Sequence, residues 1–316
     1  MRARSAPTSA WAPCLLRHSI RAGGAHAACV RPTGWVWDNV LTTTVNGLWV
    51  LQVLTGIEVL APELGLRPHL PSVEPKWLAL EHPVTAELRA VGVIDESGAV
   101  DSTVLEWLTV LSRRDIGLLM HFRTPGDDEP ARVLLARFAQ WWVAMERSAD
   151  LVRISGAGTA SSEGTASAAL NAQIQRLCGT NTPAALRPVT LDADAMRSAS
   201  TSQKSLRAFC NSQSLQPDQL HMLELAVDPG RSAQAAIVAI QSGVDTGRPT
   251  RTYIEQSAVA IIDTPEGRLV AEQVSSAGKK WMIVAPGTSN NIASAINHMV
   301  RRLPADQEWY SHRKVV

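Results

Sequence analysis

The residues that come nearest to a known chemistry are Gly156-Ala157-Gly158, which follow a β-prone run as a phosphate-cradling loop would. A dinucleotide fingerprint needs a third glycine a few residues on, so that the backbone can approach the pyrophosphate. Thr159 to Ser162 supply none, and the neighbouring strands read as antiparallel, so Ser155 to Ser167 is read as a linker. Ser276-Ala277-Gly278-Lys279 has the SxxK spacing of acyl-enzyme chemistry, which requires a helix, whereas Ala277-Gly278 marks a hairpin turn. Of the eight histidines, His69, His82, His121, His221 and His298 stand alone, without HxxxH or HxE spacing, and are read as surface or core-edge residues. The four cysteines, Cys14, Cys29, Cys178 and Cys210, have neither CxxC nor histidine-partnered spacing, which argues against a zinc site or a disulfide framework. Asp127, Asp128 and Glu129 are adjacent carboxylates that cannot surround a calcium ion, and a solvated hairpin loop is the better reading. No catalytic, cofactor-binding or metal-ligating residue is expected, and the chain reads as a non-enzyme.

If no site carries the function, a surface must, and the composition limits which kind. The chain has 316 residues, 45% hydrophobic and 19% charged, with a formal net charge of +1, enough apolar material for one large domain or two modest ones. The charge is unevenly placed. Residues 1–39 hold Arg2, Arg4, Arg17, Arg21 and Arg31 against Asp38 alone, a net +4, so the remainder carries −3. A mildly acidic body without cationic runs lacks the footprint of a nucleic-acid binder. No run reaches the roughly 18 apolar residues of a membrane span, and no continuous signal-peptide core forms near the N-terminus. The Ala/Arg/Pro/Ser/Gly composition of residues 1–39 fits a disordered extension or translation from upstream of the true start, with Val40 as an alternative start. A transit peptide is the competing reading. Recovery of peptides from Trp11 to Trp35 in the natural protein would refute the upstream start.

Periodicity then places the elements. Leu41 to Val45 reads as a strand running into a short buried helix with Leu48, Trp49, Val50, Leu51, Val53 and Leu54. Prolines 62, 68, 71 and 75 hold the next stretch in loops. Val84, Leu88 and Val91 follow Pro83 at helical spacing up to Gly92, and Asp101 caps a helix whose apolar face is Val104, Leu105, Leu108 and Leu111. These two are expected to form a helical hairpin around Gly98. Four β-prone runs follow, at Ile116 to Arg123, Val133 to Phe138, Trp141 to Arg147 and Leu151 to Ile154, then a helix with Leu170, Ile174 and Leu177. From Thr190 the plan restarts. Asp192, Leu206 to Phe209 and Pro217 mark three helices. Ala235 to Ile240, Val259 to Ile262, Leu269 to Val274 and Trp281 to Val284 mark four strands, and Thr288 or Ser289 begins a last helix that Pro304 ends. The repetition predicts an α+β fold, a central antiparallel sheet flanked by helical bundles, in two quasi-twofold related halves, 40–180 and 181–316. There are 10 Trp against 3 Phe and 2 Tyr. Adjacent Trp141 and Trp142 on one strand must face opposite sides, and the outward one is expected to pack beneath a helix on the other face.

The segment LTTTVNGLWVLQVLTGIEVLAPELGLRP at Leu41 to Pro68 closely resembles the opening of EspG proteins, above all the paralogue associated with the second ESX (type VII) secretion system. The resemblance continues through HPVTAELRAVG at His82 to Gly92, EWLTVLSRRDIGLL at Glu106 to Leu119 and RVLLARFAQWWV at Arg132 to Val143. It returns in APGT at Ala285 to Thr288 and RRLPADQEWYSHRKVV at Arg301 to Val316. It covers nearly everything after Val40 and nothing before.

The resemblance implies a cytoplasmic secretion chaperone with a mixed fold, a central antiparallel sheet and helical bundles. Such a protein binds the tip of the PPE subunit of a PE/PPE heterodimer, keeps the pair soluble and directs it to one cognate system. The family's contact regions are the loop between the second and third strands and the C-terminal helical bundle. Here these become Thr124 to Pro130, short for the family and containing Asp127, Asp128 and Glu129, and Asp192 to Val227. Within the bundle, Phe209, Leu215, Leu220, Met222 and Leu223 are candidate groove residues, with internal core as their alternative role. A groove covering about 300 Å² of apolar surface would gain roughly 7 kcal/mol before association costs. No cofactor, nucleic acid or membrane insertion is implied, and self-association stays open. A binding module for another helical partner is the second reading, and an enzyme with scattered site residues is a distant third.

Overall fold

In the computed structural model, which describes residues 40–66, 74–127, 129–213, 215–244 and 251–313, the β-prone runs join in one antiparallel sheet of eleven strands. Residues 1–39, Pro68, Pro71 and Asp128 lie outside the described residues. The chain opens with β1 (Val40–Thr44), whose last residue caps α1 (Val45–Thr55) by accepting a hydrogen bond from the Gly47 amide at 3.2 Å. Leu48, Trp49, Val50, Leu51, Val53 and Leu54, interrupted by Gln52, leave that helix buried on nearly every side, and Gly56 stops it in the left-handed region at φ 70°. Then come α2 (Lys76–Glu81), α3 (Val84–Ala90) and α4 (Ser102–Arg113). A meander follows, made of β2 (Ile116–Arg123), β3 (Ala131–Phe138), β4 (Trp141–Ser148) and β5 (Leu151–Thr159), and α5 (Glu163–Cys178) closes the first half.

The second half retraces this path. After β6 (Val189–Asp192) come α6 (Ala193–Ala199), α7 (Gln203–Ser212) and α8 (Pro217–Val227). The strands β7 (Ala233–Val244), β8 (Arg251–Ile254), β9 (Val259–Thr264), β10 (Gly267–Ser276) and β11 (Lys279–Pro286) then lead into α9 (Ser289–Arg301). The strand order is β1-β5-β4-β3-β2-β7-β9-β10-β11-β6, with β8 also paired to β7. Read inward from either edge, the two halves have the same connectivity, and they meet where β2 pairs antiparallel with β7 from Ile116↔Gln241 to Arg123↔Gln234.

Alternation along the strands divides the molecule into layers. One face, with Leu118, Met120, Val133, Leu135, Ala235 and Ile237, packs under α5, α9 and the C-terminal Trp309. The other face carries two separate bundles. The first, α1 to α4, covers Leu134, Ala136, Val143 and Ile240. The second, α6 to α8, covers Ile262, Leu269, Ala271 and Val284.

Several local expectations give way to tertiary pairing. The linker read at Ser155 to Ser167 is instead the end of β5 and the start of α5. Gly156 and Gly158 pair with Val143 and Trp142 across a bulge, and Ser162 and Thr165 form a capping box. β6 and β8 are four-residue strands that exist because β11 and β7 offer them ladders. In place of a helical hairpin around Gly98, the link between α3 and α4 holds an antiparallel bridge, Ile94 to Val100. On α4 the buried face uses Val104, Leu108, Val110 and Leu111, and Leu105 is 41% exposed. Trp142 enters the core at 2% exposure, while Trp141 is 50% exposed in an open concavity beside α4 instead of being covered by it. The Asp101 cap is as expected, with its Oδ1 accepting from the Thr103 and Val104 amides at 2.9 and 3.2 Å. Asp101→Ala should lower stability by about 1 kcal/mol in a urea titration.

Candidate partner-binding site

Between the two bundles a strip of the sheet is left without a helical cover. Leu119 on β2 packs against the first bundle's cluster and Ala260 on β9 against the second's, but exposed Ala236 on β7, between them, belongs to neither. The register sets His121 opposite Ala236 and Ala236 opposite Ala260, with Leu119 opposite Val238 in the next row on that face. The floor is thus three strands wide, about 10 Å from first to last. Ala236 and Ala260 share one of its rows, and their methyl groups let a partner's backbone approach closely.

Arg123 and Gln234 close one end of the strip, with Arg123 Nη2 donating to Gln234 Oε1 at 3.2 Å. The hairpin bearing Asp127 and Glu129 begins there, both of them exposed. The C-terminus of α8 comes to the same end, because Ser232 folds back onto it. Its amide donates to Asp228 O at 3.0 Å and its hydroxyl to Leu225 O at 2.6 Å. The loop and the bundle expected to share a contact therefore converge on one end of the trough.

The individual bundle residues divide. Met222 and Leu223 are buried in the bundle's own core, while Phe209, Leu215 and Leu220 are half-buried against it. Only the latter three present surface. Two links brace the bundle: Arg207 on α7 pairs with Glu224 on α8, and His221 on α8 pairs with Glu266 in the β9–β10 turn at 2.7 Å. The pair with Arg207 holds the Glu224 carboxyl below its usual range. Cys210 is buried inside the bundle, and burial pushes its thiol up, as it pushes Cys178 up to about 12. Both are free thiols held in the unreactive form.

Sequence reasoning missed the floor itself. Leu119, His121, Ala236, Val238 and Ala260 sit in strands that read as ordinary buried runs, and the available signal was small or polar side chains at alternate positions of central strands. His121 is partly exposed, and burial together with the neighbouring Arg132 guanidinium lowers its pKa. The folded protein therefore binds this proton less readily than the unfolded chain, so the contribution of His121 to stability is complete above its unfolded pKa near 6.5 and is lost as pH falls through the lower folded value. Between pH 7.5 and 5.5 the melting temperature of His121→Gln should fall less than that of the wild type.

A second concavity, of about 640 Å³, lies against the first bundle, where Leu105 and Trp107 of α4 face Phe138, Trp141 and the bare backbone of Gly156 and Gly158. The expected loop and bundle do not reach it. Among the described residues no three His, Cys, Asp or Glu side chains stand together as a metal cradle, and no helix is long and apolar enough to cross a membrane.

Comparison with known proteins follows the same lines. The ESX-2 secretion-associated protein EspG2 of Mycobacterium tuberculosis is 50% identical over 277 residues, covering 88% of this chain and all of the relative. The ESX-3 secretion-associated protein EspG3 of Mycolicibacterium smegmatis is 26% identical, covering 86% of this chain and 89% of the relative. Among solved structures, the M. tuberculosis type VII secretion system chaperone EspG5, in complex with a PE25–PPE41 dimer, matches with a TM-score of 0.69 at 23% identity. The match covers 86% of this chain and 99% of that one, a likeness in fold. The duplicated sheet with its two bundles is thus the architecture of the secretion-associated proteins of ESX systems. The EspG family profile matches residues 44–298, and the chain belongs to that family.

Proposed function

We propose that this protein is a cytoplasmic secretion chaperone without catalytic activity. It would receive the PPE tip of a PE/PPE heterodimer in the trough between the bundles, keep the pair soluble and direct it to its cognate ESX system. The observation that carries this reading is the uncovered strip of Leu119, His121, Ala236, Val238 and Ala260 at the centre of an otherwise covered sheet face. Apolar surface left open at the middle of a fold marks a partner site more than a defect. Family membership and the PE25–PPE41 dimer bound to EspG5 support the same partner. Masking a greasy helical tip requires shape and a few anchors, with a polar rim to reject other tips. Asp127, Asp128 and Glu129 are proposed for that rim, and Phe209, Leu215 and Leu220 for the bundle wall, with Met222 and Leu223 holding that wall from within. The chain from Val40 would act as one unit of two halves, 40–180 and 181–316.

The test is co-expression with the neighbouring PE/PPE pair, followed by size-exclusion chromatography with light scattering. A stable three-chain complex is expected. Absence of a complex with every cognate pair, alongside capture of some other helical protein, would replace this reading with a different client.

A further inference from the structure

One row of the sheet runs from the trough floor toward the first bundle through Ala260, Ala236, His121, Arg132 and Arg147, all on the same face. Both arginines reach the same place beside Gly65. A Cβ there would lie 2.6 Å from Arg132 Nη1 and 3.4 Å from Arg147 Nη1, so the two cationic groups come within about 6 Å of each other, the sum of those distances. Arg147 donates to the carbonyl oxygens of Leu64 and Ala149, each at 2.9 Å, which satisfies hydrogen atoms and leaves the charge uncancelled. Arg132 forms no hydrogen bond or ion pair with the described residues, and Arg123, at the end of the floor, donates only to the neutral Gln234 amide. Among the described residues no carboxylate pairs with any of the three. Arg114, Arg137, Arg268 and Arg302, which are also partly or fully buried, each have a carboxylate partner, and what sets Arg132 and Arg147 apart from the unpaired arginines of the surface is that the two come together at one point. The positive field extends to the floor, where Arg132 disfavours protonation of His121.

Two guanidiniums held together without a counter-charge repel each other, and they gain when a carboxylate arrives with the forked geometry they recognise. The chain beyond residue 39 is net acidic, so this is a local rim and lacks the cationic extent that a nucleic-acid surface needs. We propose that Arg123, Arg132 and Arg147 form an anion-receiving rim of the trough, which reads carboxylate side chains on the docked tip and so selects among clients. The proposal rests on the chaperone reading. The apolar floor holds any tip of the right shape, and the rim decides which tips stay.

The experiment measures the cognate PE/PPE pair by calorimetry at roughly 50 and 300 mM NaCl, a range over which exposed charges become screened. Wild-type affinity should weaken with salt. R132Q/R147Q should bind at least tenfold more weakly at low salt and lose most of the salt dependence, while R132K/R147K keeps the salt dependence. Arg123→Gln, which gives up one surface hydrogen bond, should show a smaller loss in the same direction and serves if the double variant fails to fold. Unchanged affinity and salt slope in the glutamine variants would overturn the proposal. A hexaglutamate peptide separates the two readings when no pair binds the wild type. If it raises the melting temperature of the wild type and not of R132Q/R147Q, the rim stands and the chaperone reading falls. If it protects both equally, or neither, the rim falls.

Discussion

Arg137→Ala should cost about 3–5 kcal/mol and loosen the C-terminal tail from the sheet. Arg137 lies on β3, is fully buried, and donates from Nη1 to the carbonyls of Ala139 and Tyr310, both at 2.7 Å, and from Nη2 to that of His312 at 2.6 Å. Asp115, also fully buried, stands 4.0 Å from the guanidinium and 3.5 Å from Arg313. Burial pulls the Arg137 pKa down to about 10 despite Asp115, so at neutral pH the group stays charged. Its removal leaves Asp115 with less cationic compensation, strands two tail carbonyls and opens a cavity. The tail also buries Trp309, whose Nε1 donates to Glu163 at 3.4 Å. For a chain of this size the expected loss lowers the melting temperature by about 10 °C. Hydrogen exchange at Tyr310 to Arg313 should rise in the same variant. A melting temperature within about 1 °C of wild type would show that the tail is held by Trp309 alone. Arg137→Lys keeps the charge but not the fork, and should recover only part of the loss.

The second large effect falls on binding. Ala236→Trp should weaken the cognate PE/PPE complex at least a hundredfold, about 2.7 kcal/mol, and leave the fold intact. The indole would stand on an exposed position of a central strand, where aromatic residues are well tolerated, and would fill the trough above the row shared with His121 and Ala260. Ala235→Trp is the control. One residue earlier on β7, its side chain points to the opposite face, fully buried among Met120, Ile237 and Ile261, where overpacking should destabilise the protein by about 1–3 kcal/mol or more. Binding lost at 236 with stability retained, and stability lost at 235, would locate the partner on the face between the bundles. Full binding by the Ala236→Trp chain would remove the trough from the contact.

Much of the fold was legible because the local signals were strong. Asp101, Asp192 and Thr288 cap helices with side chains that accept backbone amide bonds, and these residue types announce such positions whatever surrounds them. The runs from Ile116 and from Ala235 were β-prone and split by turn residues, and the recurrence of helices, four strands and a helix gave the duplicated order later seen in the sheet. The failures were also physical. Ser155 to Thr159 carry little β preference of their own and become strand only because β4 pairs with them. Trp141 and Leu105 look like core residues by type, yet line an open concavity beside α4, and nothing local reports which flank of a helix its neighbours leave uncovered.

The sequence by itself determined most of the strands and helices, which strand positions share a face, and the absence of recognisable motif chemistry, because these follow from neighbours a few residues apart. Tertiary structure alone decided that β2 and β7 meet at the centre, that the two bundles stop short of each other, and that Ala236, His121, Arg132 and Arg147 fall in one row. Those residues come from four strands as much as 115 positions apart, at His121 and Ala236. Their proximity is set by pairing register, a long-range property that no local pattern encodes.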